Sequence, residues 1–336
     1  MPAQEKIPIA IVGAGTVGSV LAGHFIRSGH EKIAIVDVPG RIAQLKQKGI
    51  QISKVATIDV NPRYLFSGID QLADLEIETL YIATKTTHLE TVAPQIAAIH
   101  KPGMLVVSFQ NGIGTEHYLA KHIDPKHVAR VTVNFAGVRD EDSGDISMSW
   151  FHPPNFLGPY YEQDLAPFDK LAGLMTEIGL ETRACSHAEI KRQVFYKTIL
   201  NAALNALCAT TGLTMSEAMR MRHTRHMARQ LLRESLTVAA HMGYHYGEDV
   251  LELCIEYLDK GGDHYPSMWG DLRNKRRTEI DYINGKIVQC GVMFTDVSVA
   301  RNMFFTQMVM TEEIRAGTRT EGDVPPYLGC AVRLCY

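Results

Sequence analysis

Lys197, Asn201 and Asn205 recur at steps of four residues. On a helix each such step turns ~40° beyond a full rotation, so the three side chains form one narrow polar stripe. Around it stand Phe195, Ile199, Leu200, Ala203, Leu204 and Leu207, all apolar. The whole stretch from Glu189 to Gly212, EIKRQVFYKTILNAALNALCATTG, offers water no solvated face and must be buried. A buried ammonium costs on the order of several kcal/mol unless something compensates, so Lys197 either snorkels to a surface or lines a wet, functional cavity. The two asparagines beneath it favour the cavity, because each amide both donates and accepts. The plainer alternative, a lysine near a helix end beside two structural asparagines, is open from the stripe alone.

A second chemical signature opens the chain. The apolar run IPIAIV leads into Gly13-Ala14-Gly15-Thr16-Val17-Gly18 and then the helical SVLAGHFIRSG. In a strand–turn–helix of this kind the first glycine permits the tight turn, the second admits a pyrophosphate to the backbone, and the third lets helix and strand close; the helix N-terminus stabilises the phosphate charge. A second apolar run, Ile33 to Val36, ends in Asp37, 19 residues after Gly18, near the offset at which an acidic group meets the adenosine ribose. Context and offset together read as dinucleotide binding.

Strand-like TLYIA (79–83) and MLVVSF (104–109), separated by helix-like LETVAPQIAAIH, argue for a parallel, doubly wound sheet. Ligands of such sheets bind beyond the carboxyl ends of the strands, where Thr84-Lys85-Thr86 and Gln110-Asn111-Gly112-Ile113-Gly114 lie. Residues 128–183 read as strand-rich and less regular; near Ser186 the pattern changes to long helices, and a domain boundary follows. The expected fold is α/β: a Rossmann-type domain over 1–186, an all-helical domain over 187–318, and a tail over 319–336. In the helical domain, Ser267, a basic run and Glu279 sit in sequence that reads as helix, with Gly285 and Gly291 breaking or crowding it.

Composition narrows the function. With 336 residues, 46% of them apolar, the chain suffices for two cores, and a net charge of −3 points to neither nucleic acid nor an anionic membrane. The run Lys275-Arg276-Arg277 with Arg273 reads as a solvated helix face. Six cysteines without a CxxC pair, no secretory leader and no apolar run near the ~20 residues needed to span a bilayer predict a reduced, cytoplasmic protein. His241 and His245 have metal-pair spacing but no third ligand, so surface histidines are expected and no metal is implied. A homodimer is compatible with this architecture, although no residue fixes the oligomeric state.

Taken together, GAGTVG, QNGIG at 110–114, YKTILNAALNAL and PSMWGD…TEIDYING at 266–285 resemble the ketopantoate reductase (2-dehydropantoate 2-reductase) family, in order from about residue 7 to residue 305. The resemblance implies a Rossmann domain joined to a helical one, a nicotinamide cofactor and a small 2-keto acid substrate. It places Lys197 at the catalytic lysine, Glu279 at the acid that engages substrate and lysine and also touches cofactor, and Asn111 near both nicotinamide and substrate. Asn201, Asn205 and Ser267 fall on substrate-bonding positions, and Lys85 on a cofactor-contacting lysine. Hydride delivered to a ketone leaves an alkoxide that needs a proton, which a lysine in a partly dry site can supply. The chain departs from the pattern at Asp37, where an arginine suited to a 2′-phosphate is expected, so NADH is favoured over NADPH. It also lacks the proline expected ahead of Asn302. Three functions stay open: ketopantoate reduction toward (R)-pantoate for coenzyme A synthesis, a related NAD-dependent D-2-hydroxyacid dehydrogenase acting on another branched or aromatic keto acid, and a non-enzymatic dinucleotide sensor. The joint presence of Lys197 and Glu279 counts against the last.

Overall fold

A computed structural model describes residues 6–329. The chain divides into two compact units, Met1–Gln193 and Val194–Tyr336. The first is built on strands β1 (Ile9–Val12), β2 (Ile33–Val36), β3 (Ile50–Lys54), β4 (Ile58–Val60), β5 (Tyr64–Phe66), β6 (Thr79–Ile82), β7 (Leu105–Ser108), β8 (Val128–Thr132), β9 (Phe135–Arg139), β10 (Ile146–Phe151), β11 (Asn155–Pro159) and β12 (Thr182–Ala184). Eight of them form one sheet in the order β12-β11-β8-β7-β6-β1-β2-β5. From β8 to β5 every pairing is parallel, as the alternation of strands and helices predicts. β11 runs antiparallel to β8, with β12 parallel to β11 at the edge. β1, β2 and β6 are apolar and buried on both faces, with only Thr79 at the start of β6 partly exposed, because helices cover both sides of a parallel sheet.

Helices α1 (Thr16–Arg27), α2 (Pro39–Lys48), α3 (Leu89–Ile99), α4 (Thr115–Leu119) and α5 (Ala166–Glu177) belong to this unit. The irregular strands of residues 50–60 and 135–151 form a separate sheet, β4-β3-β10-β9, which the periodicity did not separate from the main one. This sheet packs on the back of α1: a Cβ at Gly23 would lie 2.9 Å from Ile52, and one at Gly137 3.2 Å from Thr16. α1 is thereby held between two sheets, with its N-terminus aligned on the glycine turn.

α6 (His187–Thr211) begins in the first unit and carries the polar stripe into the second. There it is followed by α7 (Met215–Arg220), α8 (Arg222–His241), α9 (Val250–Asp259), α10 (Ser267–Arg273), α11 (Asn284–Gly291), α12 (Ala300–Arg315) and α13 (Pro326–Gly329), and among the described residues no strand. Gly291 on α11 is a contact glycine, since a Cβ there would come within 2.1 Å of Val299 and 3.0 Å of Val238. The helical reading of the sequence from Ser267 to Glu279 does not hold. Ser267 and Glu279 do not share a helix: α10 stops at Arg273, Lys275 turns the chain with φ +50°, and Glu279 caps a short 3₁₀ turn at 280–282. The basic run is therefore a turn rather than a helix face; Arg276 pairs with Asp271, and Arg277 with Asp281 and Asp323.

Candidate active site

In the first unit β1 is flanked by β2 and β6, so the order of strands reverses beside it and opens a binding position beyond its carboxyl end. The glycine turn occupies that position. Gly13 has φ +100°, and a Cβ on it would strike the backbone of Thr84 at 2.6 Å. At Gly18 a Cβ would fall 1.8 Å from the Gly13 carbonyl oxygen. Gly15, by contrast, faces open space, and a Cβ there would meet no atom within 4 Å. Two glycines close the turn and the third leaves the approach clear, which fits a pyrophosphate held over the N-terminus of a 12-residue helix.

Side chains lock the turn. Asp37 accepts from the Ala14 amide at 2.5 Å and from the Val38 amide at 2.7 Å. The Ala14 carbonyl accepts from the Ser19 hydroxyl and from Arg41 Nε, both at 2.9 Å. The direction of Arg41 is not legible in the sequence, which shows only Pro39-Gly40 ahead of it. Those residues are the first turn of α2, and Arg41 points inward, is buried, and donates also to Ser19 and Gln44.

Lys85 and Asn111 lie beyond β6 and β7, on segments bonded to each other. Thr86 donates to the Asn111 carbonyl at 2.9 Å, and Gln110 Nε2 to Thr84 at 3.2 Å. Arg130, buried on β8, donates to the Gly112 carbonyl at 2.8 Å and to Ser108 at 2.9 Å and also bonds Thr115, so the left-handed glycines 112 and 114 are held in one loop shape.

In the second unit Lys197 is largely buried, its Nζ 5.9 Å from the centre of the Tyr257 ring, and burial pushes its pKa down to about 8. Asn205 is buried one turn below Asn201. Glu279 is buried on a segment tied to the stripe helix: Asn284 Nδ2 donates to the Ala202 carbonyl at 2.9 Å and to Asn302 at 3.0 Å. Asn302 in turn donates to Glu234, which also accepts from the first amides of α12. Ser267 stands exposed in the first turn of α10; Tyr265 and Trp269, two residues to either side of it in the chain, stack their rings on each other at 3.8 Å.

Two family models match the chain, "Ketopantoate reductase PanE/ApbA" over residues 9–151 and its C-terminal counterpart over residues 189–313. The chain belongs to the ketopantoate reductase family. Its members are NAD(P)-dependent oxidoreductases, and the two models meet the glycine turn and the stripe helix respectively. This ketopantoate reductase family chain is 26% identical over 296 residues to the 2-dehydropantoate 2-reductase of Archaeoglobus fulgidus, covering 88% of this chain and 95% of that one. It is 27% identical over 283 residues to that of Pyrococcus abyssi, covering 84% and 90%. Among solved structures, a D-mandelate dehydrogenase with NADH and anilino(oxo)acetate shares the fold at TM-score 0.82 and 24% identity, covering 94% of this chain and all of that one. A ketopantoate reductase from Ralstonia eutropha does so at 0.81 and 23%, covering 93% and 99%.

Sequence reading passed over Arg130 and Asn284, whose bonds fix the Gly112 loop and the segment after Glu279, and weighed Arg41 only as a residue that could swing toward a phosphate. Arg130 carried one signal, a lone charge inside the otherwise apolar strand VARVT. Asn284 had none, since its partners Ala202 and Asn302 are distant in the chain.

Proposed function

We propose that the chain is a 2-dehydropantoate 2-reductase that converts ketopantoate to (R)-pantoate and uses NADH in preference to NADPH. The observation that carries this is Lys197: an ammonium buried on the stripe helix and lowered to about 8, on a chain whose glycine turn fits a dinucleotide. Gly13 to Gly18, Asp37, Lys85 and Asn111 would hold the cofactor, which when bound supplies the hydride. Lys197 Nζ holds the proton that the incipient alkoxide requires, and a pKa near working pH suits that transfer. Asn201, Asn205 and Ser267 offer donors to the hydroxy-keto acid, while buried Glu279 orients substrate and lysine.

Asp37 supports the cofactor preference. A 2′-phosphate would bring about two negative charges to its carboxylate, a repulsion of ~1 to 4 kcal/mol per charge pair. Arg41 is bonded to Ala14, Ser19 and Gln44 and is thus committed elsewhere. A second reading, a D-2-hydroxyacid dehydrogenase for an aryl keto acid, draws on the rings around the stripe: Tyr257 beneath Lys197, and Tyr196 packed 5.2 Å from Tyr246.

The test is a panel: NADH and NADPH, each with ketopantoate, 2-ketoisovalerate and phenylglyoxylate, on wild type and Lys197→Ala. Highest kcat/KM with ketopantoate, and a kcat loss of about 100-fold or more in the variant, are expected. Preference for phenylglyoxylate would favour the second reading, and near-normal kcat in a folded Lys197→Ala protein would remove the lysine from the chemistry.

A further inference from the structure

Glu279 is buried, yet it stands at the head of a short 3₁₀ turn, an element with little stiffness of its own. Its neighbours on both sides are clamped. The Thr278 amide donates to Glu313 Oε1 at 2.5 Å, and the other oxygen of Glu313 accepts from Arg319 Nε at 2.6 Å. The guanidinium of Arg319 then reaches Asp281 with both terminal nitrogens, Nη1 at 3.2 Å, and donates to the Asp323 carbonyl at 3.1 Å. The side chains of Arg319 and Glu313 are wholly buried. Residue 278 is thus fixed through Glu313 and residue 281 through Arg319, with Glu279 between them.

Stability alone accounts poorly for such a cluster, because a buried ion pair is often no more stabilising than apolar residues of the same volume. Its particular property is geometry: a planar guanidinium that bridges two carboxylates admits few arrangements. We propose that Arg319, with Glu313 and Asp281, positions Glu279 for catalysis, so that the segment following α12 belongs to the working site. This rests on the role given to Glu279 above. Arg319 and its partners are positioning residues, acting through a carboxylate whose displacement by about 1 Å would be felt in turnover.

Asp281→Asn keeps shape and leaves the Arg319–Glu313 pair in place; Arg319→Lys keeps the charge and loses the fork. Each is made alone and in a Glu279→Gln background, and kcat and keto-acid KM are measured beside thermal unfolding. The single variants should lose about tenfold or more in kcat/KM, and the same changes should cost less than about twofold once Glu279 is Gln. Equal losses in both backgrounds would overturn the proposal, as would activity that merely tracks the fraction of folded protein or a variant that does not fold, since the cluster would then be structural. If Glu279→Gln by itself leaves kcat and KM unchanged, the role of Glu279 fails first, and that single variant shows it.

Discussion

Lys197 owes its chemistry to burial. The pKa is lowered from 10.5 to about 8, so the acid form dominates below that value and is lost above it. Ketone reduction should therefore slow as pH rises through about 8, while the reverse oxidation gains; a flat kcat profile across that range would place the proton elsewhere. The same shift has a sign for stability. Between about 8 and 10.5 the unfolded chain keeps a proton at this lysine that the folded chain has released, so stability rises with pH in that window and the cost of the buried charge is complete below it. Lys197→Met keeps the volume and removes the charge. We expect a higher Tm than wild type at pH 7 with activity abolished, and a gap that narrows toward pH 10.5. A lower Tm at pH 7 would mean that the ammonium is compensated in the folded state.

At the scale of the element, the glycine turn separates binding from folding. Gly15 faces open space at φ −70°, a conformation alanine adopts, whereas Gly18 touches the Gly13 carbonyl. Gly15→Ala should thus unfold at the wild-type temperature yet bind NADH about tenfold more weakly, a loss of ~1.4 kcal/mol. Gly18→Ala should lose both affinity and ~1 to 3 kcal/mol of stability, because α1 must move off β1 to admit the methyl group. Fluorescence titration with NADH and denaturant melts of the two variants would check this, and equal melting with equal affinity would dissociate the turn from the cofactor. The stripe helix shows the complementary case: its polar face is legible at four-residue spacing, but the bond from Asn284 to the Ala202 carbonyl, which ties the Glu279 segment to it, joins residues 82 positions apart.

At the scale of the molecule, a ligand that binds only the folded state raises its melting temperature, by ~2.7 kcal/mol of stabilisation at a hundredfold excess over Kd. With Asp37 bonded to the Ala14 and Val38 amides, its carboxylate is fixed beside the turn and keeps lone pairs for ribose hydroxyls. NADH should therefore shift Tm more than NADPH at equal concentration, and Asp37→Arg should shrink or reverse the difference. A larger shift with NADPH on wild type would refute the preference without recourse to any assay of turnover.

What the chain determined by itself is what lies within one element and its turn: strand, glycine loop and helix from 7 to 29, the acidic end of β2, the repeating Lys197-Asn201-Asn205, and the change from strands to helices near 186. These follow from periodicity and local backbone demands, which a single segment carries. Tertiary structure alone decided the rest. β10 pairs with β3 across some ninety positions to make a second sheet behind α1, β11 runs against β8 in the main sheet, and Arg41 turns inward toward Ala14. Arg319, read with the tail, is buried against Glu313 and Asp281. Each of these depends on a partner far along the chain, and a charged residue looks the same in sequence whether it meets water or a buried carboxylate; only the folded core, where an unpaired charge is costly, distinguishes them.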